Sequence, residues 1–169
     1  MKTSVLADDY AIFTNMVRDT VTRNHGDNAY PSDEYFRAFL DAIPSSNATA
    51  DSKEALFMKA FYGYHASVPV SAHFVLFFGK TATYLYGASL TDHLNSKADT
   101  YLHWTAMREA KRRGFLYYDL GGIDSARWPS LTTFKRQFHG LETEYAGDID
   151  IPIRPRWYRF YTFLKAIKK

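Results

Sequence analysis

The chain has 169 residues, 46% of them hydrophobic and 17% aromatic, a length suited to one domain and a composition that excludes wholesale disorder. It has no cysteine, which excludes a disulfide framework, a thiolate nucleophile and a cysteine zinc site, and fits a reducing cytosol. A net charge of +3 permits contact with phosphate-rich partners without demanding it.

Asp8 or Asp9 can cap a first helix, in which Ile12, Phe13, Met16, Val17 and Val21 recur at helical spacing before Gly26. Ser32 is a good N-cap for a second helix, with Phe36, Phe39, Leu40 and Ile43 as its buried stripe and Pro44 as its stop. A polar loop over 44–54 leads to strands at 56–62, 68–78 and 81–87. Gly79 and Lys80 form a two-residue hairpin signal between the last two, so the set predicts an antiparallel meander. A helix follows over 98–113, with Ala98, Leu102, Ala106 and Ala110 repeating every four residues. Lys111, Arg112 and Arg113 suit its last turn, and Gly114 suits its end. A strand over 115–120, reached through that helix, should lie parallel to the third strand. Gly121 and Gly122 break it. A short helix over 134–140, a last strand over 143–151 and a helix opened by Pro155 complete the order. The pattern predicts one α+β domain over 1–169, a mixed sheet with an antiparallel meander and flanking helices, and this order resembles the GNAT fold, which implies splayed parallel strands.

Four segments carry a resemblance: FFGKTATYLYGAS (77–89), HWTAMREAKRRGFLYYDLGGID (103–124), LTTFKRQFHG (131–140) and YAGDIDIPI (145–153). In order and spacing they resemble the second, C-terminal GNAT-like domain of the FemABX peptidyltransferases. The resemblance covers about residues 10–168. It implies transfer of an amino acid from aminoacyl-tRNA to an amine of a peptidoglycan precursor, in interpeptide bridge formation, with no cofactor. Typical members carry a first GNAT-like domain that is missing here. The expectation is therefore threefold: a stand-alone enzyme, a half that needs a separate first-domain protein as partner, or an excised fragment.

The resemblance also nominates residues. Lys135, in F-K-x-x-F, is implied as the cation facing the donor's carbonyl and the oxyanion, with Phe134 excluding water. Read without the family, Lys135 is a surface lysine, and Phe134 and Phe138 are a helical i, i+4 pair. Tyr86, in Y-x-Y-G-A-S, is implied on the acceptor. Tyr84 shares its alternation phase and competes for that role. Tyr35 matches the family tyrosine of R-P-x-x-Y-F, while Tyr30 stands where the family has arginine, so a bidentate phosphate contact is lost. Asp119 could accept the amine's proton or cap the loop that follows. Arg136 could touch tRNA phosphates or be solvated.

The six histidines, His25, His65, His73, His93, His103 and His139, show no metal-ligand spacing, and His103 reads as a helix-face residue. No metal is expected. The stretch GASLTDHLNSKAD lacks the glycines that cradle an acyl-CoA pyrophosphate, which weighs against a conventional acetyl-CoA donor. Transfer from acyl-CoA or an acyl carrier protein remains an alternative, as does a non-catalytic module that binds tRNA or protein. Arg154, Arg156, Arg159, Lys165, Lys168 and Lys169 crowd the C-terminus, either as a solvated face or as a surface for the tRNA acceptor stem. No signal peptide is seen, and the apolar run over 74–78 is too short to span a bilayer, so a cytoplasmic location is expected.

Overall fold

A computed structural model of the protein describes residues 7–24, 26, 30–42, 56–144, 147 and 150–167. The predicted loop over 44–54, Ile43, Pro44, His25, Lys168 and Lys169 lie outside these residues, as does the side chain of Leu40.

Helix α1 runs over Ala7–Arg23, so Asp8 and Asp9 lie inside it rather than ahead of it. Helix α2 spans Asp33–Ala42. Ser32 caps it as expected: its Oγ accepts from Tyr35 N at 3.3 Å and its carbonyl from Phe36 N at 2.9 Å. Strands β1 (Phe57–His65), β2 (Val68–Phe78) and β3 (Thr81–Ser89) form the antiparallel meander. The β2–β3 turn is Gly79-Lys80, with Gly79 at φ +57°. A turn of 3-10 helix over Thr91–Ser96 leads into helix α3, Ala98–Arg112. Gly114 at φ +84° closes the exit. Strand β4 then covers Tyr117–Asp119, shorter than its predicted span, and pairs parallel to β3. Helix α4 is Pro129–Arg136, and α5 is Pro155–Ile167. Proline opens both helices at a position that needs no backbone N–H.

One expectation fails. The short helix lies upstream of 134–140, because Pro129 starts it and only a turn remains after Arg136. Of the expected strand over 143–151, residues 145, 146, 148 and 149 lie outside the described residues, and the described ones belong to no ladder.

The sheet order is β1-β2-β3-β4. Helices α1 and α2 cover one face, where Phe13, Met16, Phe36, Met58, Ala60, Tyr62, Ala72, Phe74 and Ala88 form a core. Helix α3 covers the other, where Leu102, Ala106 and Ala110 meet Phe57, Phe61, Val75, Phe77 and Ala82. The parallel ladder is short, running from Thr81↔Tyr117 to Thr83↔Asp119. Beyond it β3 continues to Ser89 while β4 ends at Asp119 and its continuation turns at Gly121, so the two strands part.

Candidate active site

The parting point is shaped by a break in alternation. On β2 and β3, Phe74 faces Tyr86 but Val75 faces Tyr84, which leaves Leu85 as an extra residue. One extra residue reverses the side-chain phase. Tyr84 and Tyr86 therefore occupy opposite faces, which corrects the expectation that they share one. Tyr86 packs edge-on against Phe36 at 5.1 Å and Phe39 at 6.2 Å. Tyr35 stacks on Phe39 at 6.4 Å, so Tyr35 and Tyr86 are brought together on the α2 side. Tyr35 is exposed, while Tyr86 is half-buried, and burial raises the phenol of Tyr86.

Tyr84 turns to the α3 face. Its ring lies 4.9 Å from His73 and 4.6 Å from His103, and burial pushes its phenol well above the usual range. The ring folds back across Gly87, where a Cβ would sit 2.0 Å from the Tyr84 hydroxyl. The glycine of Y-x-Y-G-A-S thus makes room for its own neighbour. On the other side of β3, the Tyr30 hydroxyl donates to Gly87 O at 2.6 Å, so the residue at the family's arginine position braces the backbone.

Lys135 sits at the C-terminal end of α4 and is buried. Its ammonium donates to Gly122 O at 2.7 Å and lies 5.9 Å from the Tyr84 ring centre. Burial lowers its pKa, with the Asp119 carboxylate pulling the other way. Asp119 Oδ1 accepts from Gly121 N at 2.7 Å, closing the turn at the end of β4. Gly121 takes φ +75°, and a Cβ there would stand 3.4 Å from Tyr84 O and 3.6 Å from Lys135 Nζ. Phe134 and Phe138 pair at 5.4 Å and meet the His103 ring at 5.7 and 5.3 Å. Lys135, Phe134, Asp119 and Tyr84 thus gather where β3 and β4 part. Arg136 points elsewhere, its exposed guanidinium held by Glu142 at 2.7 Å.

Sequence reading missed the polar floor beneath this group. His103 is not a helix-face residue but is buried, with Nδ1 3.1 Å from the Tyr118 hydroxyl. Its ring stands 4.4 Å from that of His73, also buried. His73 Nε2 lies 3.1 Å from Asp99 Oδ1, which also accepts from Ser71 Oγ at 2.6 Å. Burial, then the neighbouring His73, drops the His103 pKa to about 2, so its ring is neutral. The His73 carboxylate partner, Asp99, lies four residues before His103 on α3, a spacing that puts both on one helix face. That spacing was the available signal, but His73 lies on another element. No group of metal-binding side chains occurs among the described residues.

An ammonium has three hydrogens to donate, and Gly122 O takes one. The remaining hydrogens are available to an oxygen that becomes negative near the parting of the strands. Such a donor acts most strongly where water is excluded.

The FemAB family model matches residues 40–166 of the chain. Over 101 residues the chain is 28% identical to the Lipid II:glycine glycyltransferase of Staphylococcus saprophyticus subsp. saprophyticus, a match covering 57% of this chain and 24% of that protein. The chain thus spans about a quarter of the curated relative it matches. Among solved structures it resembles a transcriptional regulator from Bacillus halodurans C-125, with TM-score 0.60 and 16% identity over 89% of this chain and 99% of that one. It also resembles an aminoglycoside acetyltransferase from an uncultured soil metagenomic sample in complex with sisomicin, with TM-score 0.57 and 14% identity over 90% of this chain and 96% of that one. At such identities these two likenesses concern the fold alone, an α+β sheet of the GNAT type. By the extent of its sequence match, this chain belongs to the FemAB family.

Proposed function

We propose that the chain is an aminoacyltransferase domain that takes an amino acid from aminoacyl-tRNA and adds it to an amine of a peptidoglycan precursor. The supporting relative is named for glycine transfer to lipid II. In this reading residues 1–169 work as one domain, in the cytoplasm, alone or with a separate first-domain protein. A neutral acceptor amine attacks the ester carbonyl, a C–N bond forms, the C–O bond to the tRNA ribose breaks, and the amine's proton ends on the ribose oxygen. The ester is already activated, so positioning and charge stabilisation supply most of the catalysis.

One observation carries the reading: a buried ammonium, Lys135 Nζ, stands at the parting of β3 and β4 with hydrogens to spare. Lys135 stabilises the oxyanion, and Phe134 keeps water from it. Tyr86 and Tyr35 hold the acceptor. Tyr84 packs under Lys135 instead of competing with Tyr86. Asp119 holds the loop, and its second oxygen can take the amine's proton.

Transfer of a radiolabelled amino acid from charged tRNA to a precursor peptide tests this. Lys135→Ala should lower the rate about a hundredfold to a thousandfold, as for loss of one oxyanion donor. Circular dichroism should confirm that the variant is folded. An unchanged rate would remove Lys135 from the chemistry.

Acyl-CoA and acyl carrier protein are the competing donors, since acetyltransferases share the fold. The first turn of α3 carries Asp99, and a carboxylate there opposes a pyrophosphate. Saturating coenzyme A should therefore leave the melting temperature unchanged, and an upward shift would favour the acyl-CoA reading. Firm tRNA binding with no transfer to any amine would favour a non-catalytic module.

A further inference from the structure

Helix α5 buries none of its residues. Trp157, Phe160, Tyr161, Phe163, Leu164 and Ile167 are each between 47% and 67% exposed. Trp157, Phe160, Leu164 and Ile167 follow an i, i+3, i+7, i+10 course, which lays them along one stripe with Tyr161 and Phe163 at its borders. Arg159, Thr162 and Lys165 take the other side. A contiguous apolar stripe of this kind on a protein surface marks an interaction site.

The charge is equally one-sided. The chain's 21 Lys and Arg exceed its 18 Asp and Glu by three, yet Arg154, Arg156, Arg159, Lys165, Lys168 and Lys169 all follow Ile151. No acidic residue occurs from Ile151 onward, so the residues before it carry a net negative charge. An RNA backbone would use these cations but leave the apolar stripe in water. An ordinary protein partner would use the stripe but not a wholly cationic border. A bilayer with anionic headgroups uses both at once, and tryptophan and tyrosine suit its interface. No helix among the described residues is long and apolar enough to cross a membrane, so the helix would lie on the surface.

We propose that α5 seats the protein on an anionic lipid bilayer, its aromatic stripe at the acyl boundary and its cations among the headgroups. This goes beyond the transfer reaction and does not depend on it.

Co-sedimentation of the full chain with vesicles tests the proposal. Vesicles of equimolar phosphatidylglycerol and phosphatidylcholine should bind it, phosphatidylcholine alone should bind it far less, and salt should weaken the first. Arg156→Ala with Arg159→Ala should lower binding about fivefold for each charge removed. Trp157→Ser with Phe160→Ser should abolish it. Both double variants should keep the melting temperature, since neither pair packs on the sheet.

Absence of vesicle binding, or binding that both double variants retain, overturns the proposal. So does light scattering that finds a dimer dispersed by Trp157→Ser with Phe160→Ser, with no vesicle binding. Transfer from tRNA to a soluble acceptor peptide separates the two readings. If the arginine variant loses that transfer while vesicle binding is unchanged, α5 serves RNA and not lipid. If the parent chain transfers no amino acid from charged tRNA while vesicles still bind, the proposed reaction fails and the membrane seat stands.

Discussion

The sheet has two interiors. On the α1 and α2 side Phe13, Phe36 and Phe74 meet ring to ring, with centroids 4.5 to 5.6 Å apart, and the neighbouring core residues are almost entirely apolar. On the α3 side the apolar cluster is flanked by buried polar groups. Lys59 meets Glu109 at 2.5 Å at one end, and His73, His103, Asp99 and Ser71 lie towards the other. A dry interior stabilises through area and packing, which few single contacts control. A polar interior depends on each group keeping its partner. The candidate active site rests on the second kind, so its geometry is more sensitive to small chemical changes.

Breaking the dry side should have the largest effect on stability. Phe74→Ala removes a fully buried ring at the centre of that cluster and should cost about 3–5 kcal/mol in urea unfolding. Next comes the Lys59 pair. Glu109→Gln leaves the Lys59 ammonium without its carboxylate and should cost about 2 kcal/mol, less than a fully enclosed pair because Glu109 keeps an edge in water. Hydrogen bonds from Arg112, Lys59 and Arg113 hold the Glu109 carboxyl well below its ordinary range. Its stabilising effect is therefore complete above an unfolded pKa of about 4.3 and is lost as pH falls below that. Acid titration of the urea midpoint should show that loss in the parent and not in Glu109→Gln.

Gly87→Ala should cost roughly 1–3 kcal/mol, because a methyl group there displaces the Tyr84 ring from the polar side. If transfer activity falls with it, the packing of Tyr84 under Lys135 matters to the reaction. A finer test concerns His103. Its folded pKa of about 2 lies below the unfolded value, so folding excludes the proton. Stability should be full above about pH 6.5 and decline by about 1.4 kcal/mol per pH unit below it. His103→Gln should flatten the midpoint between pH 7 and about pH 5, a window distinct from that of Glu109. At the small end, Arg136→Ala should leave the midpoint unchanged, since its guanidinium and Glu142 are both exposed. A measurable loss there would show that the 136–142 contact orders more of the chain than its exposure implies.

The same contrast decides what could be read before the structure. The dry side was legible: Phe13 and Met16 recur at helical spacing in α1, Phe36 and Phe39 do so in α2, and Gly79-Lys80 marks the hairpin. Ser32 and Pro155 announced their helices. The polar side was not. His73 and His103 lie on different elements, and only tertiary packing makes them neighbours. Leu85 looks like any strand residue, yet it reverses the phase of everything after it. Lys135 could be named from its motif, but its burial and its bond to Gly122 depend on where α4 sits.

The extra residue at Leu85 also governs how this segment tolerates length changes. Odd and even positions exchange meaning there, so a one-residue deletion would act as a parity error, moving the later side chains across the sheet while leaving composition almost untouched. Two relatives compared column by column through this strand would match the wrong tyrosines whenever only one of them carries the offset.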